Sequence, residues 1–157
     1  MKKESNMKLA IFDLDGTVID SEHRKVALPN GDIDLLHWRE NCTAEKIAKD
    51  DLLELVHVMR DLYAQGVKVA ICTARVLSNF DFNFFVDNAI PFHYILSRPH
   101  DCDTPDGILK AQQISDLLKK LKIPKDKAQM WDDNPSVISA ITQIGVKCHD
   151  ARKFNHK

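Results

Sequence analysis

Two aspartates with a single residue between them, Asp13 and Asp15, are followed at once by Gly16 and Thr17. Where such a D-x-D-G-T run ends an apolar segment, both carboxylates can project toward one ligand. One can attack phosphorus and form a covalent aspartyl phosphate, which splits a difficult displacement into two easier steps. The other can protonate the leaving alkoxide and later deprotonate the attacking water, if its surroundings raise its pKa. Gly16 lets the backbone pass close to a phosphate. An aspartate-rich turn is the other reading, because Asp-Gly is a common turn pair.

Thr73-Ala74-Arg75 follows a second apolar run. A hydroxyl there, just before a helix, can donate to a phosphate oxygen with help from the helix N–H groups, and Arg75 can make a bidentate contact. A plain N-cap also accounts for Thr73. Asp132 and Asp133, in the run Trp131-Asp132-Asp133-Asn134-Pro135, suit a hard cation that keeps several waters and bridges to phosphate, as magnesium does. Capping a helix that begins at Pro135 needs only one of them, or Asn134. Lys110 can neutralise phosphate charge, although a lone helical lysine is ordinarily a surface residue.

The elements that must carry these residues can be read from the apolar pattern. Short strand-like runs occupy residues 8–12, 67–72, 92–96, 128–131 and 146–149. Between them, residues 50–65 place Leu52, Leu53, Leu55, Val56, Met59 and Leu62 at helical spacing, with Gly66 as the stop. Residues 76–88, 105–121 and 135–143 also read as helices, the last two with proline in the first turn. This alternation predicts an α/β fold with a mostly parallel, Rossmann-like five-stranded sheet and helices on both faces. Ligands in such sheets sit beyond the carboxyl ends of the strands, which is where the reactive residues fall. A single domain over residues 1–157 is expected. Within it, residues 18–49 form a small flap, with a turn at Pro29-Asn30-Gly31 and a charged helix around residues 34–41. No large cap fits.

Composition narrows the class without naming a substrate. Apolar residues make up 44% and charged residues 29%, as in an ordinary globular chain. The net charge of −1 provides no general field toward nucleic acid or an anionic membrane, so a phosphate-rich partner must be held locally. The four cysteines, Cys42, Cys72, Cys102 and Cys148, form no C-x-x-C pair. A reducing, cytoplasmic setting is expected. No apolar run approaches the ~18 residues that span a bilayer, and no hydrophobic signal core follows the start.

Together these residues resemble the haloacid dehalogenase superfamily of phosphotransferases, whose four motifs occur in order. Asp13-x-Asp15-Gly16-Thr17 resembles the first and Thr73 the second, while Lys110 stands for the third and Asp132-Asp133 for the fourth. The resemblance implies Asp13 as nucleophile, Asp15 as general acid and base, and Thr73 and Lys110 on the phosphoryl group. It also implies Mg2+ held by Asp13, the backbone carbonyl of Asp15 and Asp132, with Asp133 in support. A narrower similarity is to the 3'-phosphatase domain of phage polynucleotide kinase-phosphatases. It rests on His23-Arg24, Leu28-Pro29, Thr73-x-Arg75, Arg98 twelve residues before Lys110, and Gly145-Val146-Lys147-Cys148. In that family Arg24, Arg75 and Arg98 would bind substrate phosphate or support the site, and Thr17 joins the substrate-binding set. Ala74 departs from the usual glycine, and no G-x-x-x-x-G-K-[ST] phosphate loop occurs in the sequence.

The implied enzyme is a Mg-dependent phosphomonoester hydrolase acting on a phosphorylated nucleic-acid end or a nucleotide, with 3' ends preferred. A phosphatase of small metabolites, such as mononucleotides or sugar phosphates, is the alternative, and a catalytically silent binding protein on the same fold is a third reading. No membrane partner is expected, and nothing in the pattern specifies an oligomer.

Overall fold

A computed structural model describes residues 6–23, 28–30, 32 and 34–155. Its main sheet has five strands: β1 (Leu9–Phe12), β4 (Lys68–Cys72), β5 (Tyr94–Leu96), β6 (Ala128–Asp132) and β7 (Lys147–Asp150). They run in the order β5-β4-β1-β6-β7 and every neighbouring pair is parallel. The strand that leads to Asp13 is therefore central, flanked by the strand that leads to Thr73 and the one that ends at Asp132.

Alternation along the strands builds two separate cores. Leu9, Ile11, Ala70, Cys72, Ala128 and Met130 point to one face. There they meet Ile114, Leu117 and Leu118 of α5 (Asp106–Leu121) and Val137 and Ile141 of α6 (Pro135–Gln143). Ala10, Phe12, Val69, Ile71 and Trp131 point to the other face. They meet Leu55, Val56, Met59 and Leu62 of α3 (Leu55–Ala64) and Phe84 and Phe85 of α4 (Asn79–Asp87). Strands covered on both faces must be apolar at nearly every position, which is why the runs read as continuous rather than alternating.

The insert after β1 contains β2 (Ile19–Asp20), α1 (Leu35–Glu40), α2 (Ala44–Ile47) and β3 (Asp51–Leu52). Two expectations change in this part of the chain and beyond. Residues 50–53 do not begin a helix: Asp51 and Leu52 pair antiparallel with Asp20 and Ile19, and Leu53 N–H donates to the Val18 carbonyl at 2.9 Å. Leu52 reaches the core from extended backbone, so its spacing mimicked a helical stripe. Helix α3 starts at Leu55, where Asn155 Oδ1 accepts the Leu55 N–H at 2.9 Å from across the fold. Likewise, α4 starts at Asn79 rather than residue 76, because Asp81 Oδ2 accepts from both the backbone N–H (2.8 Å) and the hydroxyl (3.1 Å) of Ser78. Residues 73–78 are thereby left as an irregular loop beyond β4. The turn anticipated at Pro29-Asn30-Gly31 is described only in part, since Gly31 lies outside the described residues.

Helices α5 and α6 approach closely at Gly107, where an added Cβ would lie 2.9 Å from the Ser136 carbonyl oxygen and 3.2 Å from Ala140 Cβ. Ala gains about 1 kcal/mol over glycine in helix propensity. A backbone clash at this distance outweighs that gain. Gly107→Val should therefore lower stability by about 1–3 kcal/mol, read from the shift of the urea midpoint at constant slope.

Candidate active site

The four sequence motifs converge at the carboxyl end of the central strands. After β1 the chain turns tightly: the N–H groups of Thr17, Val18 and Ile19 all donate to the Leu14 carbonyl at 2.9–3.1 Å. This turn presents Asp13 and Asp15 from the same strand end, and both are buried. Gly16 completes it at φ +79°. A Cβ at Gly16 would meet Asp133 Oδ2 at 2.1 Å, so the missing side chain makes room for the Asp133 carboxylate. Proximity of the backbone to phosphate was the anticipated reason for this glycine; the structure adds Asp133 as its immediate neighbour.

Asp13, Asp132 and Asp133 each offer a carboxylate oxygen, and these oxygens lie within 4.8 Å of one another. Lys110 reaches into the same corner from α5, with Nζ 2.8 Å from Asp13 Oδ1 and 2.8 Å from Asp132 Oδ2. Its burial, at 2% exposure, sets it apart from the ordinary surface lysine. Burial alone would lower the Lys110 ammonium, but Asp13 and Asp132 outweigh it and hold the group well above its usual pKa. For Asp132, burial first and repulsion from Asp13 second push the carboxyl up to about 7 despite Lys110. Two carboxylates beside Lys110 and a third within reach form a hard-oxygen donor set that calls for further positive charge. That set fits Mg2+, which favours carboxylates and waters. Asp132 and Asp133 are not needed for capping: Asn134 Oδ1 accepts the Ser136 N–H at 3.0 Å, and Asp132 Oδ1 itself accepts from Asn134 N–H at 2.9 Å.

Asp15 faces a second set of partners. Arg75 grips it through Nε (2.8 Å) and Nη2 (2.7 Å), and the Ser21 hydroxyl donates to Asp15 Oδ1 at 2.5 Å. The remaining arginine nitrogen, Nη1, donates to Asp81, and Asp50 Oδ2 lies 3.5 Å from Nη2. His23 Nε2 then pairs with Asp50 Oδ1 at 2.7 Å. Burial opposes the Arg75 charge, but Asp15, Asp81 and Asp50 raise its pKa further above the ordinary arginine range.

The other anticipated residues divide by position. Thr73 is fully buried, and its Oγ1 accepts from Arg75 N–H at 3.0 Å. It caps no helix, since α4 begins at Asn79. Thr17 Oγ1 donates to Asp13 Oδ2 at 3.1 Å. Of the two roles implied for the arginines, the contacts of Arg75 and Arg98 are with protein. Arg98 Nε donates to the Ala74 carbonyl (2.8 Å), Nη1 to the Cys102 and Thr104 carbonyls (3.0 and 2.7 Å), and Nη2 to Asp106 Oδ1 (2.8 Å). These buried acids and carbonyls hold both guanidinium groups in place. Arg24 lies outside the described residues.

Four further residues complete the geometry, Asp32, Asp50, Asp81 and Ser21. Asp32 is the most connected to motif residues. Its Oδ2 accepts from Asp106 N–H at 3.0 Å, at a helix start that Pro105 leaves uncapped. Its Oδ1 accepts from Asn134 Nδ2 and Ser136 Oγ, each at 3.2 Å. One carboxylate thus ties the insert to the first turns of both α5 and α6. Locally, Asn30 Oδ1 accepts from the Asp32 N–H at 3.0 Å in an Asx turn.

Comparison with known proteins gives a consistent placement. Residues 1–100 match the family model described as bacteriophage T5 5'-deoxynucleotidase. The 5'-deoxynucleotidase of Escherichia phage T5 is 29% identical over 167 aligned positions, covering 94% of this chain and 68% of that protein. Among solved structures, a haloacid dehalogenase-like hydrolase from Streptococcus pneumoniae superposes with a TM-score of 0.66 at 15% identity, covering 92% of this chain and 84% of that one. A chain of the Pnkp1/Rnl/Hen1 RNA repair complex also superposes with a TM-score of 0.66, at 19% identity, covering 93% of this chain and 43% of its own.

Removing Arg75 would strand Asp15, Asp81 and Asp50 in the interior. Arg75→Ala should cost about 3–5 kcal/mol, the usual penalty for breaking a buried ion network from one side. Asp32→Ala, which removes a helix cap donated from a distance, should cost about 1–2 kcal/mol. Chemical denaturation of both variants, with Arg75→Ala the more damaging, checks that order.

Proposed function

The chain belongs to the bacteriophage T5 5'-deoxynucleotidase family, and from that we propose that it releases phosphate from nucleotides with Asp13 as nucleophile, Asp15 as acid and base, and Mg2+ as cofactor. Its fold is that of the haloacid dehalogenase hydrolases, and it is a phosphoric monoester hydrolase. The observation that carries the proposed chemistry is the corner in which Asp13, Asp132 and Asp133 approach within 4.8 Å while Lys110 bridges two of them.

Asp13, Asp132, Asp133 and the backbone carbonyl of Asp15 are the groups that would hold the ion. When bound, the ion supplies positive charge that lets an anionic nucleophile meet an anionic phosphate. The residues do the rest. Thr17 and Lys110 orient Asp13, whose oxygen attacks phosphorus as the bond to the leaving oxygen breaks. The alkoxide takes a proton from Asp15, leaving an aspartyl phosphate on Asp13. Water then attacks that phosphate and gives its proton back to Asp15, restoring both side chains. Arg75 and Ser21 donate three hydrogen bonds to the Asp15 carboxylate. Donation to the leaving group requires Asp15 to turn from that grip. Thr73 and Lys110 bind the phosphoryl group, Arg75 and Arg98 support the loops that carry it, and the insert over residues 18–49 serves as flap.

Two substrate classes are supported by different observations. The phage 5'-deoxynucleotidase relative favours a nucleoside 5'-monophosphate. The resemblance of His23-Arg24, Thr73-x-Arg75 and Arg98 to the 3'-phosphatase domain, together with the short insert, favours a 3'-phosphorylated nucleic-acid end. Competition between a deoxynucleoside 5'-monophosphate and a 3'-phosphorylated oligonucleotide separates them, and the first should be hydrolysed faster.

Turnover should vanish in Asp13→Asn and on chelation, returning with added Mg2+ only in the unsubstituted protein. Full activity in Asp13→Asn would refute the covalent route. Asp15→Asn should lower kcat by roughly 10²–10⁴-fold, the usual worth of a general acid and base. Single-turnover measurement of phosphoenzyme formation and decay should find both steps slowed.

A further inference from the structure

Between the insert and the loops after β4 and β5 lies a cleft of about 390 Å³ that the chemistry above does not use. Leu35 and Cys42 line it from the insert, Val76 and Leu77 from the loop after β4, and Ser78, His100 and Asp101 stand at its polar end. The walls are apolar and the polar groups few, in a volume of the size that small-molecule sites occupy.

Its position in the sheet is what gives it meaning. Ala74, the residue after Thr73, packs with Leu35 and Cys42, so the insert closes directly over the loop assigned to the phosphoryl group. That loop is fastened to the one after β5: Thr73 N–H donates to the Leu96 carbonyl at 2.9 Å and Arg98 N–H to the Arg75 carbonyl at 2.9 Å. The cleft therefore sits over the ends of β4 and β5, whereas Asp13 follows β1. Val76 directly follows Arg75, whose guanidinium holds Asp15 at 2.7–2.8 Å, so the cleft wall adjoins the turn that presents Asp13 and Asp15. A sugar can link a phosphate at Asp13 to a group lodged in the cleft.

The matching group is flat, apolar on its faces and polar along its edge. We propose that this cleft is the subsite for the nucleobase of a mononucleotide substrate, an inference that rests on the phosphatase reading above. Leu35, Val76 and Leu77 contact the base faces, and His100 and Asp101, both exposed at the rim, meet its hydrogen-bonding edge. A nucleobase is preferred to a longer polymer segment because the cleft is bounded on three sides, by the insert and by the loops after β4 and β5.

The test compares kcat/KM for a deoxynucleoside 5'-monophosphate with that for deoxyribose 5-phosphate, which keeps the sugar and phosphate but has no base. The protein should prefer the nucleotide by about tenfold or more, as contacts to a few apolar groups allow. Val76→Trp, which fills the cleft, should reduce that ratio about tenfold. His100→Ala, at an exposed position where folding is not at stake, should reduce it in the same direction. A ratio near one in the unsubstituted protein, or a ratio that survives in both variants, would overturn the proposal. Hydrolysis of neither substrate by the unsubstituted protein would instead fault the phosphatase reading, and this inference with it.

Discussion

Carboxylates gathered in a buried corner repel one another, and the fold is arranged around holding them there. Asp13 and Asp132 end adjacent parallel strands, so backbone pairing alone brings them together. Lys110 is the protein's own counter-charge, and it comes from a different layer, the helix α5. Its helix is fixed at its first turn from two sides, by Asp32 from the insert and by the Arg98 contact with Asp106. Close packing at Gly107 then sets how deeply the helix sits against α6. The position of one ammonium group thus depends on the insert, on the loop after β5 and on a helix contact.

A second electrostatic centre, at Arg75, governs the other half of the site. Buried ion networks contribute little net stability but punish the loss of any one member. Here the members come from separate parts of the chain: Asp15 after β1, Asp50 before β3, and Asp81 in the first turn of α4. Arg75 therefore registers the strand end, the insert and the helix that follows β4 against one another. The buried arginine is a joint between them.

How much of this could be read from the chain depended on the range of the interaction. Helix α6 matches its expected limits at both ends, because Asn134 and Pro135 are local signals of a start. The three central strands were legible as apolar runs because they are buried on both faces, whereas the edge strands β5 and β7 are only half-buried and gave weaker runs. The motif aspartates and Thr73 were legible because each lies at the end of such a run, whereas Lys110 sits within a helix and stood out only through the resemblance. Residues 50–53 misled because a two-residue ladder is too short to display a period of its own, while Leu52 and Leu53 fell in phase with the helix beyond. Asp32, Asp50 and Asp81 were missed because their partners in the site are distant in the chain or depend on the fold: Asp32 meets Asp106, Asn134 and Ser136. An isolated aspartate in a turn is indistinguishable from any other until those partners arrive. Arg75 and Arg98 were noticed, but only coordinates reveal that carboxylates and carbonyls already engage them.

The contact made by Asp32 has an evolutionary corollary. A single carboxylate pins the insert to two helix starts, and the entropy of closing a loop grows only slowly with its length. Descendants of this chain can lengthen or rewrite the connections on either side of that anchor at little thermodynamic cost. What they can hardly relocate is the anchor, so diversity in the entrance should accumulate around a stationary acidic residue.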